Sequence, residues 1–346
     1  MYKRKLKKYS VPALMVCLTA LLAVLVISDF RKTEIRMTEK SSIAMGTVIS
    51  QKIYGAENMT EVTNGVCDTI EKIENVISWR IDSSEAYKLN SEAKVKIGRE
   101  YADVFSACSD VYKKSGGAFD ITVGKLTRMW NIGEENARVP EKKEIKKALG
   151  YVDGSKIKVS GKSVICGEGQ CVDLGAVGKG LACDKVREYL ETTEARSAVI
   201  SVGGSILLYG ENPNTGRWTV AVRNPKGEAN EYIGTLSLSQ GCVSTSGDYE
   251  RYFEKDGKRY HHIISPETGY PADSGLISVT VVCDSGFLSD ALSTACFVMG
   301  REKGEELLRE YSAEGIFIDS DCNVYITDGL KDSFTLSGTG FTTVGE

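Results

Sequence analysis

The order of elements along the chain predicts an α+β fold with mixed, largely antiparallel sheets and packed helices. One strand at 47–54 is followed by two helical patterns at residues 58–78 and 99–114. Strand-like segments then lie close together between 198 and 246, and helices return after 285. A doubly wound parallel sheet would instead alternate strands and helices regularly. We therefore expect an α+β architecture rather than a doubly wound one.

Apolar spacing defines the predicted helices. In the first, Val62, Val66 and Ile70 belong to an apolar series with helical spacing. The second helix is stopped by Gly116-Gly117. Further helices are predicted near 181–191, 285–299 and 301–311, with one more between Pro140 and Gly150 and a short one ending near Trp130.

Alternating apolar residues define the predicted strands. The first runs from Thr47 to Tyr54, and a hairpin turns at Gly161-Lys162. Another hairpin turns at residues 255–258. Other strands are predicted at 198–202, 205–209, 217–223, 231–238, 242–246, 276–282, 315–318 and 323–326.

The first 32 residues differ from the rest in charge and hydropathy. Seven Lys or Arg and one Asp give them a net charge of +6, which leaves −10 for the remainder of a chain with a total of −4. A basic segment at 1–10, expected to be cytoplasmic, precedes the apolar stretch 11–28, the pattern of a signal peptide or a membrane anchor. Both alternatives export the rest of the chain, so we expect an extracytoplasmic main domain, membrane-attached or secreted. Its acidic charge excludes nucleic acid as a partner, which would need a basic patch.

The rest of the chain is predicted to form a polar linker at 29–42, one domain at 43–335 and a C-terminal tail at 336–346. Ten cysteines are scattered along the chain, and no CxxC pair occurs. Most occupy apolar positions of predicted helices or strands, where Cys behaves as a small buried hydrophobe. We therefore predict free thiols rather than disulfides or a metal cluster.

The stretch from Ser244 to Thr294 carries the residues best suited to chemistry. Its two histidines, His261 and His262, are neighbours in an extended segment, so only one can face a given site. Asp290 and Thr294 are four residues apart in a helical run and share one face. A carboxylate and a hydroxyl suit Mg²⁺ when phosphates supply other ligands, and a histidine nearby is a candidate proton acceptor. The alternative to a metal site is that Asp290 and Thr294 form an ordinary solvent-facing pair on the helix.

Two glycine-rich segments are candidate anion sites. Asp173 to Gly180 is a strand end and turn that leads into a helix, whose N-terminus presents free N–H groups. Residues 116–124 form a second such connection. Asp173 to Gly180 matches neither the GxxxxGK[ST] nor the GxGxxG motif, so a plain tight turn is its alternative. For residues 116–124 the alternative is that the glycines only terminate a helix.

In order and spacing, these segments together resemble the ApbE-type FAD:protein FMN transferase (flavin transferase) family. The resemblance covers the chain from about Met45 to Gly300. The matching motifs are Met45-Gly46-Thr47, Gly117-Ala118-Phe119-Asp120-Ile121-Thr122-Val123-Gly124, Asp173-Leu174-Gly175-Ala176-Val177-Gly178-Lys179-Gly180 with Asp184, Val202-Gly203-Gly204, Thr245-Ser246-Gly247-Asp248-Tyr249, His262-Ile263-Ile264-Ser265-Pro266-Glu267-Thr268-Gly269-Tyr270-Pro271 and Asp290-Ala291-Leu292-Ser293-Thr294-Ala295.

The resemblance implies a single ApbE-like (T-fold-like) catalytic domain at 43–335 that uses Mg²⁺ to split the pyrophosphate of FAD. FMN would pass to a Thr or Ser hydroxyl of an acceptor protein as a phosphoester, with release of AMP. The implied acceptor carries a Ser/Thr-Gly-Ala-Thr-like motif and is an electron-transfer subunit at the membrane.

The resemblance also implies a role for individual residues. The metal ligands would be the Asp290 carboxylate, the Thr294 hydroxyl and the Ala176 backbone carbonyl, and His262 would be the base. Contacts with FAD are implied for Met45, Trp79, Ala118, Phe119, Asp120, Asp173, Lys179 and Ile264.

One position departs from the family pattern. The family reads His-x-x-Asp-Pro, whereas this chain has Ser265 in place of that Asp. A serine can form hydrogen bonds but carries no charge. The substitution raises two alternatives to the transferase: an Mg²⁺-dependent FAD pyrophosphatase that releases FMN and AMP, and an exported flavin-binding protein without turnover.

Overall fold

The computed structural model describes residues 35–345. The basic segment predicted at 1–10, the signal peptide or anchor predicted at 11–28 and the start of the predicted linker lie outside this range. Inside it, no helix is both long and apolar enough to cross a membrane. The described range contains the whole domain predicted at 43–335.

The described residues form eight α-helices and seventeen β-strands. The helices are α1 Thr60–Ile77, α2 Glu85–Glu92, α3 Arg99–Lys114, α4 Gly124–Trp130, α5 Lys142–Leu149, α6 Gly178–Leu190, α7 Gly286–Met299 and α8 Arg301–Glu310. The strands are β1 Arg36–Ala44, β2 Thr47–Gly55, β3 Lys94–Lys96, β4 Lys158–Ser160, β5 Ser163–Ile165, β6 Ser197–Val202, β7 Ser205–Tyr209, β8 Trp218–Arg223, β9 Tyr232–Leu238, β10 Gly241–Gly247, β11 Tyr252–Lys255, β12 Lys258–His261, β13 Leu276–Cys283, β14 Glu314–Asp319, β15 Asn323–Ile326, β16 Phe334–Leu336 and β17 Thr342–Thr343.

Nine strands form the main sheet, in the order β1-β2-β6-β7-β10-β13-β14-β15-β17. Every neighbouring pair is antiparallel except β15 and β17, which run parallel. Three smaller antiparallel sheets have the orders β16-β9-β8, β3-β5-β4 and β11-β12. This topology confirms the predicted α+β fold.

The two faces of the main sheet bury different cores, because successive side chains on a strand point to opposite faces. On β7, Leu207 belongs to the core that contains the apolar faces of α1, α6 and α7. Its neighbour Leu208 belongs to a second core with Trp218 and Phe334 of the β16-β9-β8 sheet. The main sheet therefore lies between a layer of helices and a small second sheet.

A third apolar cluster holds the segment after β12 in place. Leu126 and Trp130 of α4 pack in it with Ile145 of α5 and Ile264. The indole N–H of Trp130 donates a 2.8 Å hydrogen bond to the carbonyl oxygen of Gly269. The cluster thus anchors residues on either side of the 264–269 turn.

The linker predicted at 29–42 is wrong from Arg36 onward, because residues 36–44 form strand β1. This strand pairs with β2 along its whole length. Its sequence is polar because it lies at the edge of the sheet and forms side-chain hydrogen bonds with α1 and with the residue that precedes this helix. Thr38 accepts the N–H of Met59 at 3.0 Å, and Lys40 donates to Asn64 at 2.7 Å. A strand without an apolar face carries no alternation signal.

The tail predicted at 336–346 is wrong as a separate segment. Leu336 ends strand β16, and β17 extends the main sheet beside β15. The N–H of Gly338 donates to the carbonyl oxygen of Ile233 at 2.7 Å, and Phe341 packs against the second core. A strand of two residues is too short to show a period.

Helix α2 was absent from the predicted elements, since eight residues give little more than two turns of periodicity. The prediction of free thiols is confirmed within residues 35–345. All nine cysteines there are free, and six are buried: Cys108, Cys166, Cys171, Cys183, Cys242 and Cys296.

Candidate active site

A cavity of about 640 Å³ lies between the β1–β2 turn, the β6–β7 turn and the N-terminus of α6. This volume is typical of small-molecule sites. All twelve residues predicted for the site line it: Met45, Trp79, Ala118, Phe119, Asp120, Asp173, Ala176, Lys179, His262, Ile264, Asp290 and Thr294. The fold therefore brings them together, while the role of each stays a prediction.

Helices α6 and α7 cross at close range beside the cavity. A Cβ atom on Gly180 would lie 1.9 Å from the carbonyl oxygen of Gly286, so only glycine fits at this crossing. The Asp184 carboxylate then accepts the N–H groups of Gly286 and Phe287 at 2.6 and 2.8 Å. Asp184 thus caps the N-terminus of α7 and fixes that helix against α6.

Asp290, on α7, faces the first turn of α6. Its Oδ2 accepts the N–H of Gly180 at 2.9 Å, and its Oδ1 lies 3.8 Å from Nζ of Lys179. The residue is 4% exposed, so it is not a member of a solvent-facing pair. Burial raises the pKa of Asp290, and the charge of Lys179 and the backbone N–H groups of α6 oppose that rise.

Thr294 lies one turn further along α7 and is half-buried. Its Oγ1 is 3.2 Å from Oγ of Ser246 on β10. Ser246 in turn lies 2.8 Å from Oγ of Ser293. Ser246 belongs to the Thr-Ser-Gly motif, but the sequence pattern assigned it no role.

The donor groups fit a hard divalent cation. The Asp290 carboxylate, the Thr294 hydroxyl and the carbonyl of Ala176, two residues before α6, are all oxygen donors of the kind that Mg²⁺ prefers. In the part of the chain that the structure describes, no group of three or more His, Cys, Asp or Glu could hold a metal. A site here would therefore depend on one carboxylate, leaving positions for phosphate oxygens.

The two histidines face opposite ways, as the alternation predicted. His262 lines the cavity, and its Nδ1 lies 3.3 Å from the carbonyl oxygen of Arg251. Because a carbonyl can only accept, Nδ1 carries the proton and Nε2 of the neutral ring keeps a free lone pair. Burial and the positive charges of Arg251 and Lys179 hold the pKa of His262 well below its ordinary value.

His261 is buried on the other side and has a structural role. Its Nε2 donates to the carbonyl oxygen of Ala272 at 2.9 Å, and its Nδ1 accepts the N–H of Ile263 at 3.3 Å. Both ring nitrogens are therefore used within the fold.

Two further carboxylates line the cavity and are held rigidly. Asp173 accepts the hydroxyl of Thr127 at 2.8 Å and the N–H of Gly175 at 2.9 Å. Asp120 accepts both the N–H and the hydroxyl of Thr122 at 2.7 Å, and the N–H of Gly154 at 2.8 Å. Burial raises the pKa of Asp120, and these hydrogen bonds counteract the rise.

Charged residues that sequence reasoning missed surround Trp79. The guanidinium groups of Arg80 and Arg128 each lie 4.4 Å from the centroid of its ring. Arg80 also pairs with Glu134 at 3.0 Å. Arg80, Glu134 and Arg251 line the cavity but lie on irregular segments, where no periodic signal marks them.

Met45 occupies a strained position in the β1–β2 turn. Its φ of 54° and the φ of 67° at Gly46 are both left-handed, as a two-residue type I′ turn requires. A non-glycine residue there costs about 1 kcal/mol or more. The turn brings the methionine to the cavity, with its terminal methyl beside Gly178.

Ser265, the departure from the family pattern, lies outside the residues that line the cavity. It is 8% exposed, and its hydroxyl accepts the N–H of Thr268 at 3.4 Å. Its backbone pairs with Tyr270 and Gly269. The side chain therefore supports the 265–269 turn, a role in which a serine hydroxyl can replace a carboxylate oxygen.

The fold and this cavity define the class of the protein, an α+β protein with a cavity of small-molecule size. The chain belongs to the ApbE family, whose sequence pattern matches residues 45–317. This confirms the resemblance inferred from the motifs.

Relatives and solved structures agree with the family assignment. The FAD:protein FMN transferase of Treponema pallidum is 33% identical over 87% of this chain and 90% of its own length. The FAD:protein FMN transferase of Klebsiella pneumoniae is 29% identical over 88% of this chain and 96% of its own length. The crystal structure of the ApbE protein of Thermotoga maritima superposes with a TM-score of 0.74 at 30% identity, over 88% of this chain and 98% of that one. The apo flavinyl transferase ApbE of Pseudomonas stutzeri, at 24% identity, has the same fold with a TM-score of 0.77 over 88% and 98%.

Proposed function

We propose that this protein is an FAD:protein FMN transferase. It transfers the FMN moiety of FAD onto a Thr or Ser hydroxyl of an acceptor protein and releases AMP. The observation that carries the proposal is the meeting of Asp290, Thr294, Ala176 and His262 in one cavity with a volume suited to a small-molecule substrate. The names of the relatives support the flavin chemistry.

The cation site is the first part of the proposal. Asp290, Thr294 and the carbonyl of Ala176 would hold Mg²⁺, which supplies charge neutralisation for phosphate oxygens. The first turn of α6 and Lys179 add positive potential on the same side. The helix N-terminus and the ammonium therefore favour binding of the pyrophosphate.

His262 is the proposed base. Its Nε2 accepts the proton of the acceptor hydroxyl while the hydroxyl oxygen forms a bond to the FMN phosphorus. The bond from that phosphorus to the bridging oxygen breaks, and AMP leaves with that oxygen. The neutral tautomer of His262 supports this role, because Nδ1 faces the carbonyl oxygen of Arg251 and Nε2 can accept a proton.

The partner and location complete the proposal. The acceptor carries a Ser/Thr-Gly-Ala-Thr-like motif and is an electron-transfer subunit at the membrane. The catalytic domain is extracytoplasmic, because the basic segment 1–10 followed by the apolar stretch 11–28 favours export. Protease treatment of intact cells tests this location: a domain degraded only after lysis would contradict it.

One incubation tests the activity. The protein is mixed with FAD, Mg²⁺ and a protein bearing the acceptor motif, and the products are read by mass spectrometry. Acceptor heavier by one FMN, with AMP released, is the expected result. Free FMN and AMP with unmodified acceptor would instead indicate a pyrophosphatase, and bound but intact FAD would indicate a flavin-binding protein.

A further inference from the structure

Three hydroxyls meet between strand β10 and helix α7, next to the predicted cation site. Oγ of Ser246 lies 2.8 Å from Oγ of Ser293 and 3.2 Å from Oγ1 of Thr294. Ser246 is 9% exposed and Ser293 is fully buried. Because buried hydroxyls have little access to water, the direction of each hydrogen bond is set by the neighbouring protein groups.

The direction of each bond comes from counting protons, since a hydroxyl carries one. Ser293 donates its proton to the carbonyl oxygen of Asp290 at 2.9 Å, because a carbonyl can only accept. Ser293 must therefore accept in its contact with Ser246, which uses the proton of Ser246. In its own contact with Thr294, Ser246 can then only accept, so Thr294 is the donor.

We infer that Ser246 is a positioning residue that turns the lone pairs of Thr294 toward the cation site. With its proton directed at Ser246, Oγ1 of Thr294 keeps its lone pairs free for another partner. A cation ligand must offer a lone pair and not a proton, and hydrogen bonds from neighbouring groups commonly set that orientation. The inference rests on the proposed function, because it assumes that Thr294 binds a divalent cation.

The test measures cation binding directly, with Mn²⁺ as the probe. Full-length protein is titrated with Mn²⁺, with and without FAD, and free Mn²⁺ is followed by electron paramagnetic resonance. Ser246→Ala removes the proton acceptor and is expected to weaken Mn²⁺ binding by about 10- to 100-fold. Ser246→Thr keeps a hydroxyl and should restore most of the affinity. Wild-type affinity in Ser246→Ala would overturn the inference.

A second variant changes Ser293, the last of the three hydrogen-bonded hydroxyls. Ser293→Ala takes away the acceptor of the Ser246 proton, which becomes free to point at Thr294. We expect Mn²⁺ binding to weaken by about tenfold, the lower end of the range for such neighbours. Unchanged affinity in this variant would contradict the assigned bond directions.

A double-mutant cycle separates positioning from a general loss of structure. Thr294→Val removes the hydroxyl through which Ser246 is proposed to act. Adding Ser246→Ala to Thr294→Val should therefore cost no further Mn²⁺ affinity. Losses that add up in the double variant would show that Ser246 acts by another route and would overturn the inference.

The matched control is Thr280→Val. Thr280 is buried on β13, and its hydroxyl lies 2.8 Å from that of Thr245 on β10, so this change removes a similar hydroxyl pair from the same sheet. Its Mn²⁺ affinity should equal that of the wild type, and thermal unfolding of all variants checks that they fold. An equal loss of Mn²⁺ affinity in the control would contradict a specific role for Ser246.

FMN transfer, measured in parallel, keeps the two proposals apart. If the wild type transfers no FMN but Mn²⁺ affinity changes with Ser246, Ser293 and Thr294 as expected, FMN transfer fails as the activity, while the cation site and the inference stand. If FMN is transferred but Ser246→Ala leaves the Mn²⁺ affinity unchanged, the inference alone fails.

Discussion

The backbone N–H of Gly180 donates a 2.9 Å hydrogen bond to Oδ2 of Asp290, which joins residues 110 positions apart. The bond exists because helices α6 and α7 cross at Gly180 and Gly286 with no side chain between them. A backbone group therefore holds the carboxylate predicted to bind the cation, and rigid elements give such a site its precision.

Gly180→Ala should destabilise the protein. The added Cβ would lie 1.9 Å from the carbonyl oxygen of Gly286, so the helices must separate. Overpacking of this kind costs about 1–3 kcal/mol, and FMN transfer should fall with it. Gly150→Ala is the control, because its φ is −62° and the nearest atom would be 3.4 Å away. Equal melting temperatures for the two variants would contradict the close crossing.

Asp290→Asn should abolish FMN transfer while leaving the fold intact. The amide keeps the shape of the side chain but removes the charge, and a neutral group is easier to bury than a carboxylate. We expect a loss of at least about 100-fold in rate, with a melting temperature no lower than wild type. Asp321→Asn, at an exposed position, serves as control. A turnover rate like that of wild type would remove Asp290 from the cation site.

His262→Gln should slow modification of the acceptor by about 100-fold or more, with FAD binding retained. The glutamine lacks a basic nitrogen that can take the hydroxyl proton. His261→Gln should lower stability rather than the transfer rate, because His261 bonds within the fold. Rates and FAD affinities of both variants separate these effects, and a normal rate for His262→Gln would exclude it as base.

The pH dependence of the transfer rate should reflect the lowered pKa of His262. Because the base is already neutral, the rate should stay nearly constant between about pH 6.5 and 8 and fall only in more acid solution. The free energy of unfolding should also decrease as the pH falls. The folded-state pKa of both histidines is below the unfolded value, so below about pH 6.5 the unfolded chain binds more protons. A rate that rises steadily through this range would indicate a base of higher pKa.

Regular elements of the fold were predictable from local sequence. The spacing of Val66 and Ile70 indicates α1, and alternation indicates the strands from β6 to β10, because each pattern is written in consecutive residues. Strand β1 was not predicted because its side chains form polar contacts with α1 and show no apolar alternation. Helix α2 was not predicted because it is short. The family motifs contain eleven of the twelve predicted site residues, all except Trp79, and each motif is a continuous stretch.

The sequence alone determined the α+β class, the family and twelve of the residues that line the cavity, because these depend on local periodicity and family motifs. Tertiary structure alone decided which groups hold those residues in place by hydrogen bonds. The N–H of Gly180 bonds to Asp290, the hydroxyl of Ser246 to Thr294 and the carbonyl oxygen of Arg251 to His262. These contacts join distant positions through close packing, and hydrogen-bond direction depends on atoms that only the folded chain brings together.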